Sequence, residues 1–123
     1  MKLKNEKNKN TFLCAIDGFK QAIKTERNLK IHCIMAILVI ICGFIFKINI
    51  NEWVMCIALI SLVISAELMN TAIETVVDLY TKEKNNLAKK AKDVSAGAVL
   101  VIAIMAAIIG CMIFIPKMLY LIK

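Results

Sequence analysis

Apolar residues recur along this chain in two different rhythms. Phe12, Ile16, Phe19 and Ile23 are separated by offsets of 4, 7 and 11, one narrow stripe on a helix, with Asp17, Lys20, Gln21 and Lys24 elsewhere around it. That spacing predicts an amphipathic helix over about residues 11–27, able to lie in a membrane interface. Beyond it the alternation gives way to three long runs. Residues 31–46 carry no formal charge, with His32 the one basic side chain; residues 53–66 are 14 uncharged positions; residues 94–116 are 23. About 20 apolar residues cross a bilayer as a helix. We therefore expect spans over about 29–48, 52–80 and 92–116, the second continuing as one helix past its uncharged part. The expected fold class is an all-α integral membrane protein, with three transmembrane helices plus an N-terminal amphipathic surface helix, in a single membrane domain over 1–123.

The connections fit this reading. Residues 1–10 are polar and expected to be mobile, and with an alternating segment after them no cleavable signal sequence is expected. "KININ" is a short turn before Glu52 and Trp53, and the Trp suits an outer interfacial belt. Residues 81–93 form a polar connection whose second half has helical composition. "SAGA" (95–98) offers a small-residue surface for close helix approach, and Pro116 marks the outer end of the third span.

Charge supplies the orientation. Of 16 Lys and Arg, eight lie in residues 1–30 and five in 81–93, whereas only Lys47 lies between the first two spans. The positive-inside rule places the N-terminus and the 81–93 connection in the cytoplasm. A net charge of +7 is then mostly a cytoplasmic-face charge, suited to anionic headgroups or phosphates; nucleic acid is the weaker reading, and no nucleic-acid partner is expected. The 60% hydrophobic fraction agrees with a membrane protein. Five cysteines show no CxxC spacing and four lie in apolar runs, so they read as small membrane-compatible side chains. His32 reads as a polar residue at the cytoplasmic edge of the first span.

The chemistry concentrates in "AELMNTAIETVVDLY" (66–80). With Glu67 at zero on a helical wheel, Asn70 falls at about −60°, Thr71 at about +40°, Glu74 at about −20° and Asp78 at about +20°. All five share one face. Glu67 is 15 residues past Glu52, a rise of about 22 Å, which sets it in the cytoplasmic third of a hydrocarbon core about 30 Å thick. A carboxylate at that depth costs several kcal/mol and should face a cavity, a partner or a cation. Paired carboxylates suit a hard cation such as Mg²⁺. Glu26 falls close to the apolar stripe if the first helix continues through it, and is solvated if that helix frays. Three readings remain open on these residues: a polar helix contact holding an oligomer, an ion- or proton-conducting membrane oligomer, and an enzyme at the inner interface. The four glycines are isolated and no G-x-x-x-x-G-K occurs, so a P-loop is excluded. Lys89, Lys90 and Lys92 beside Asp93 could neutralise phosphates.

Three blocks carry a resemblance. "AELMNTAIETVVDLY" resembles the signature of the prokaryotic diacylglycerol kinase family, E-[IL]-x-N-[ST]-A-I-E-x-[VL]-V-D, at every fixed position from Glu67 to Asp78. "AKDVSAGAVL" (91–100) is similar to a second family block. "TERNLKIH" (25–32) and "FIPK" resemble the Gram-positive branch, chiefly undecaprenol kinases. The resemblance covers about residues 11–117. It implies a homotrimeric helical bundle in the bacterial cell membrane, transferring the γ-phosphate of ATP to a lipid hydroxyl at the cytoplasmic interface, with undecaprenol as first substrate and diacylglycerol as the alternative. By motif position it implies Glu67 as catalytic base and Asn70 as a polar group positioning the reacting centre. Glu26 and Glu74 would hold Mg²⁺ against ATP. Lys92, Asp93 and residues Glu83, Lys84 and Asn85 would contact the nucleotide; where the family commonly has E-Y-H, only Glu83 is retained.

Overall fold

The computed structural model describes residues 10–123; the polar stretch 1–9, and with it the expectation of mobility there, lies outside the described residues. Among the described residues there are four helices: α1 (Thr11–Thr25), α2 (Arg27–Ile45), α3 (Ile50–Tyr80) and α4 (Asn86–Ile122). The last three are long and apolar enough to cross a membrane.

The start of α1 is set by Asn10, whose side chain accepts from the Leu13 amide at 2.8 Å and so satisfies a donor the helix cannot. The helix stops at Thr25, two residues short of the expected 27, because Glu26 is extended (φ −103°, ψ 113°). Its N–H still closes on Ala22 O at 2.8 Å, so the chain turns into α2 without losing that bond. Ala22 is buried where α1 packs on α2 and α3, while Phe12, Ile16 and Phe19 of the apolar stripe stay exposed. Exposure of that stripe is what an interfacial helix needs.

At the opposite end the three spans are tied together. Helix α2 ends at Ile45, earlier than the expected 48, with Lys47 left-handed (φ 51°) and the Ile48 amide bonding back to Gly43 O at 3.2 Å. That is a Schellman stop, and Ile48 is buried as its apolar plug. Asn49 and Glu52 then form a reciprocal capping box that starts α3. Lys117 Nζ reaches Glu52 Oε1 at 3.2 Å, joining the start of α3 to the end of α4. Ile48, Cys56 and Ile113 form a core here, flanked by Phe46, Trp53 and Phe114. Pro116 does not end the helix: α4 runs through it to Ile122. The proline has no amide to donate to the Met112 carbonyl, so it removes one helical bond while the helix continues on either side. At its other end α4 begins before the expected 92, because Asn85 accepts from the Leu87 and Ala88 amides at 2.9 and 3.0 Å.

The glycine with no room for a side chain is Gly43, not Gly97 of "SAGA". A Cβ on Gly97 would meet nothing within 4 Å, whereas one on Gly43 would sit 2.6 Å from the Trp53 ring. Gly43→Ala is therefore expected to force the indole aside and destabilise the protein by about 1–3 kcal/mol, the usual range for overpacking. Thermal unfolding in detergent, with Gly97→Ala as the near-neutral control, checks this.

Candidate functional site

At the α1 end of the bundle the polar stripe of α3 meets partners from the helices beside it. Glu67 is 3% exposed, and His32 Nε2 of α2 lies 3.3 Å from its Oε1. One turn along, Asn70 is 8% exposed and its Nδ2 donates to Glu74 Oε1 at 3.3 Å. Asn70 Oδ1 is buried without a hydrogen-bond partner, an open acceptor beside the carboxylates. Near the end of α3, Lys92 Nζ of α4 bonds Asp78 Oδ1 at 2.7 Å, both half-exposed. Glu26, at the break between α1 and α2, is half-buried and, like Glu74, within electrostatic reach of Glu67. Lys92 is likewise within reach of Glu74.

The sequence order explains why these groups converge. Glu67, Asn70, Glu74 and Asp78 repeat at helical spacing on one face of α3, and α3 lies against both α2 and α4. Leu29, fully buried one turn before His32, fixes which face of α2 turns inward. Ser95 is buried one turn beyond Ala91 in the α3–α4 seam. Two openings flank the stripe. One, of about 560 Å³, lies between α3 and the start of α4 and includes Asn70, Lys90 and Ser95. The other, of about 530 Å³, is an almost wholly apolar groove over α3 between α2 and α4, beginning at His32 and running past Ala36, Ala107 and Gly110 to Met118.

The remaining nucleotide candidates sit apart. Asp93 is exposed and pairs with Lys89 at 2.5 Å, one turn along α4. Glu83 and Lys84 lie in the exposed loop, and the Asn85 side-chain Oδ1 is engaged in capping α4. Among the described residues no hydrogen bond or ion pair joins any of these to Glu67 or Glu74. His32 is the site residue that the sequence left unassigned. Its only signal was being the lone basic side chain in an apolar run.

No group of three His, Cys, Asp or Glu among the described residues forms a complete metal site. The two carboxylates Glu26 and Glu74 still fit Mg²⁺, which commonly takes one or two protein carboxylates and completes its shell with phosphate oxygens and water.

What these elements define is a small polytopic membrane protein with an acidic site near one end of its bundle, opening onto an apolar groove. The profile of the family described as prokaryotic diacylglycerol kinase matches residues 13–114. The chain is 45% identical over 117 residues to an undecaprenol kinase of Bacillus subtilis (strain 168), covering 94% of this chain and 95% of that one. It is 41% identical over 113 residues to a diacylglycerol kinase of Synechocystis sp., covering 90% of this chain and 64% of the relative. A diacylglycerol kinase of Escherichia coli (strain K12) is 29% identical over 96 residues, covering 78% and 79%. The chain belongs to the prokaryotic diacylglycerol kinase family, and it is a lipid kinase.

Proposed function

We propose that this protein transfers the γ-phosphoryl group of ATP to undecaprenol, giving undecaprenyl phosphate, at the cytoplasmic face of the bacterial cell membrane. The observation that carries the reading is the 45% identity, over nearly the whole of both chains, to an undecaprenol kinase. The apolar groove supports it. The groove starts at His32, the partner of Glu67, so an alcohol presented to Glu67 would have its chain lying along α3. Diacylglycerol is the second reading, favoured by the 41% identity to a diacylglycerol kinase.

In this reading Glu67 accepts a hydrogen bond and then the proton from the lipid hydroxyl, whose oxygen attacks the γ-phosphorus as ADP leaves. Burial in an apolar surround keeps water from competing as acceptor. Asn70 positions the reacting centre through its free Oδ1. Lys92 and Asp93, with Glu83, Lys84 and Asn85 in the adjoining loop, hold the nucleotide; Lys92 would exchange its Asp78 partner for phosphate. Glu26 and Glu74 hold Mg²⁺, which when bound neutralises phosphate charge and orients the triphosphate. The reading includes a homotrimer, with the N-terminus and site cytoplasmic as the lysine distribution indicates.

The test is a paired assay of purified protein with labelled ATP and either undecaprenol or diacylglycerol in mixed micelles. Preferential labelling of undecaprenol is expected; preference for the glyceride would transfer the assignment to the second reading. Groove filling gives a further prediction. A side chain on Gly110 meets open space, so Gly110→Leu should leave the fold intact while narrowing the groove. We expect the rate on undecaprenol to fall about tenfold, the worth of roughly 1.4 kcal/mol of lost contact, with a short-chain alcohol little affected. Competition assays with the two alcohols read this directly.

A further inference from the structure

His32 has a role that neither the charge pattern nor the family assignment supplies. Glu67 is 3% exposed, and Glu26 and Glu74 bring further negative charge within reach of it. A carboxylate so placed needs a donor, and the one side chain paired with it among the described residues is His32, with Nε2 3.3 Å from Oε1. We propose that His32 is a positioning residue for Glu67. Its Nε2–H pins one carboxylate oxygen and leaves the other turned to the acceptor alcohol. The inference rests on the reading of Glu67 as base.

The placement is built rather than incidental. Leu29, one turn earlier on α2, has no exposed surface and locks the helix rotation. The imidazole is itself 24% exposed and forms the head of the apolar groove. His32 therefore touches the carboxylate on one side and the path of the lipid chain on the other. An alcohol whose chain lies in that groove must pass the ring to reach Glu67. A neutral imidazole donates from Nε2 as well as a charged one, so the role needs no titration. No proton passes to His32: the hydroxyl proton goes to Glu67 as the oxygen–phosphorus bond forms and the bond to ADP breaks.

The test uses the full chain with His32→Gln, His32→Asn and His32→Ala, assayed for kcat and for the KM of ATP with undecaprenol in mixed micelles. A Gln amide nitrogen reaches close to the position of Nε2, whereas that of Asn falls short. Losing a hydrogen bond to a charged group costs about 10- to 100-fold, so kcat should drop by that factor in the Ala and Asn variants, stay within about threefold in Gln, and leave the KM of ATP unchanged. Wild-type kcat in Asn and Ala, a Gln variant as slow as Ala, or a loss confined to the KM of ATP each overturns the proposal. If the Ala variant fails to assemble, the Gln–Asn comparison decides by the same criteria. A thermal-unfolding cycle of His32→Gln and His32→Asn, each with and without Glu67→Ala, which removes the accepting oxygens, reads the contact without any substrate. Coupling to Glu67 that is greater for Asn than for Gln is expected, and no coupling in either overturns it. Failure of the wild type to label any lipid alcohol would instead overturn the functional reading.

Discussion

Glu67→Gln is expected to lower lipid phosphorylation by a factor of about 10²–10⁴, the usual contribution of a positioned general base, while ATP affinity stays near wild type. The substitution keeps the shape of the side chain and an oxygen for His32 to bond, and removes only the ability to take the hydroxyl proton. Glu67 is nearly inaccessible, so exchanging its carboxylate for an amide also relieves a desolvation cost. The melting temperature should hold or rise. Initial rates with undecaprenol, calorimetric titration with ATP and Mg²⁺, and thermal unfolding in the same detergent separate the three effects. Near-normal turnover in the Gln variant would sink the base assignment. Lost ATP binding would move Glu67 into the nucleotide site.

Glu74→Gln is expected to act differently, weakening Mg²⁺-dependent ATP binding by about 10- to 100-fold, the scale of one lost interaction with a charged partner. The rate at saturating ATP and Mg²⁺ should partly recover. Glu74 is half-buried, accepts from Asn70 Nδ2 at 3.3 Å and lies within electrostatic reach of Lys92. A Gln keeps an oxygen for Asn70 but loses the charge that a divalent cation needs. Titration of activity against Mg²⁺ at fixed ATP reads the shift, and Glu26→Gln should give one in the same direction. A reading in which these acids only clamp helices makes the opposite forecast. Under it, Glu74→Gln disrupts assembly, seen by gel filtration, and the Mg²⁺ requirement of the remaining folded protein is unchanged.

The wheel drawn from sequence places Glu67, Asn70, Glu74 and Asp78 on one face, and the structure has them there because intrahelical position depends only on residue spacing. Interhelical pairs obey no such rule. His32 and Asp78 each acquire a partner from another helix, at 3.3 and 2.7 Å, through the rotation and depth at which α2, α3 and α4 pack. The same limit explains Gly43. Its need for a missing side chain arises from Trp53 across the turn, which no property of the α2 segment reveals. Pro116 lies inside α4 because a proline removes a single helical bond, and the bonds on either side of it carry the helix on.

The amino-acid order alone determined three membrane-crossing helices, a surface helix before them and the acid row on α3, because hydrophobic length and helical period are properties of contiguous residues. Three further features were left to packing. One is the break at Glu26 that turns the chain from the surface into the bilayer. The others are the imidazole set against a buried carboxylate and the apolar groove leading away from it. The last two are relations between segments remote in the chain, and they exist only once side-chain volumes on facing helices have chosen how the helices sit against each other.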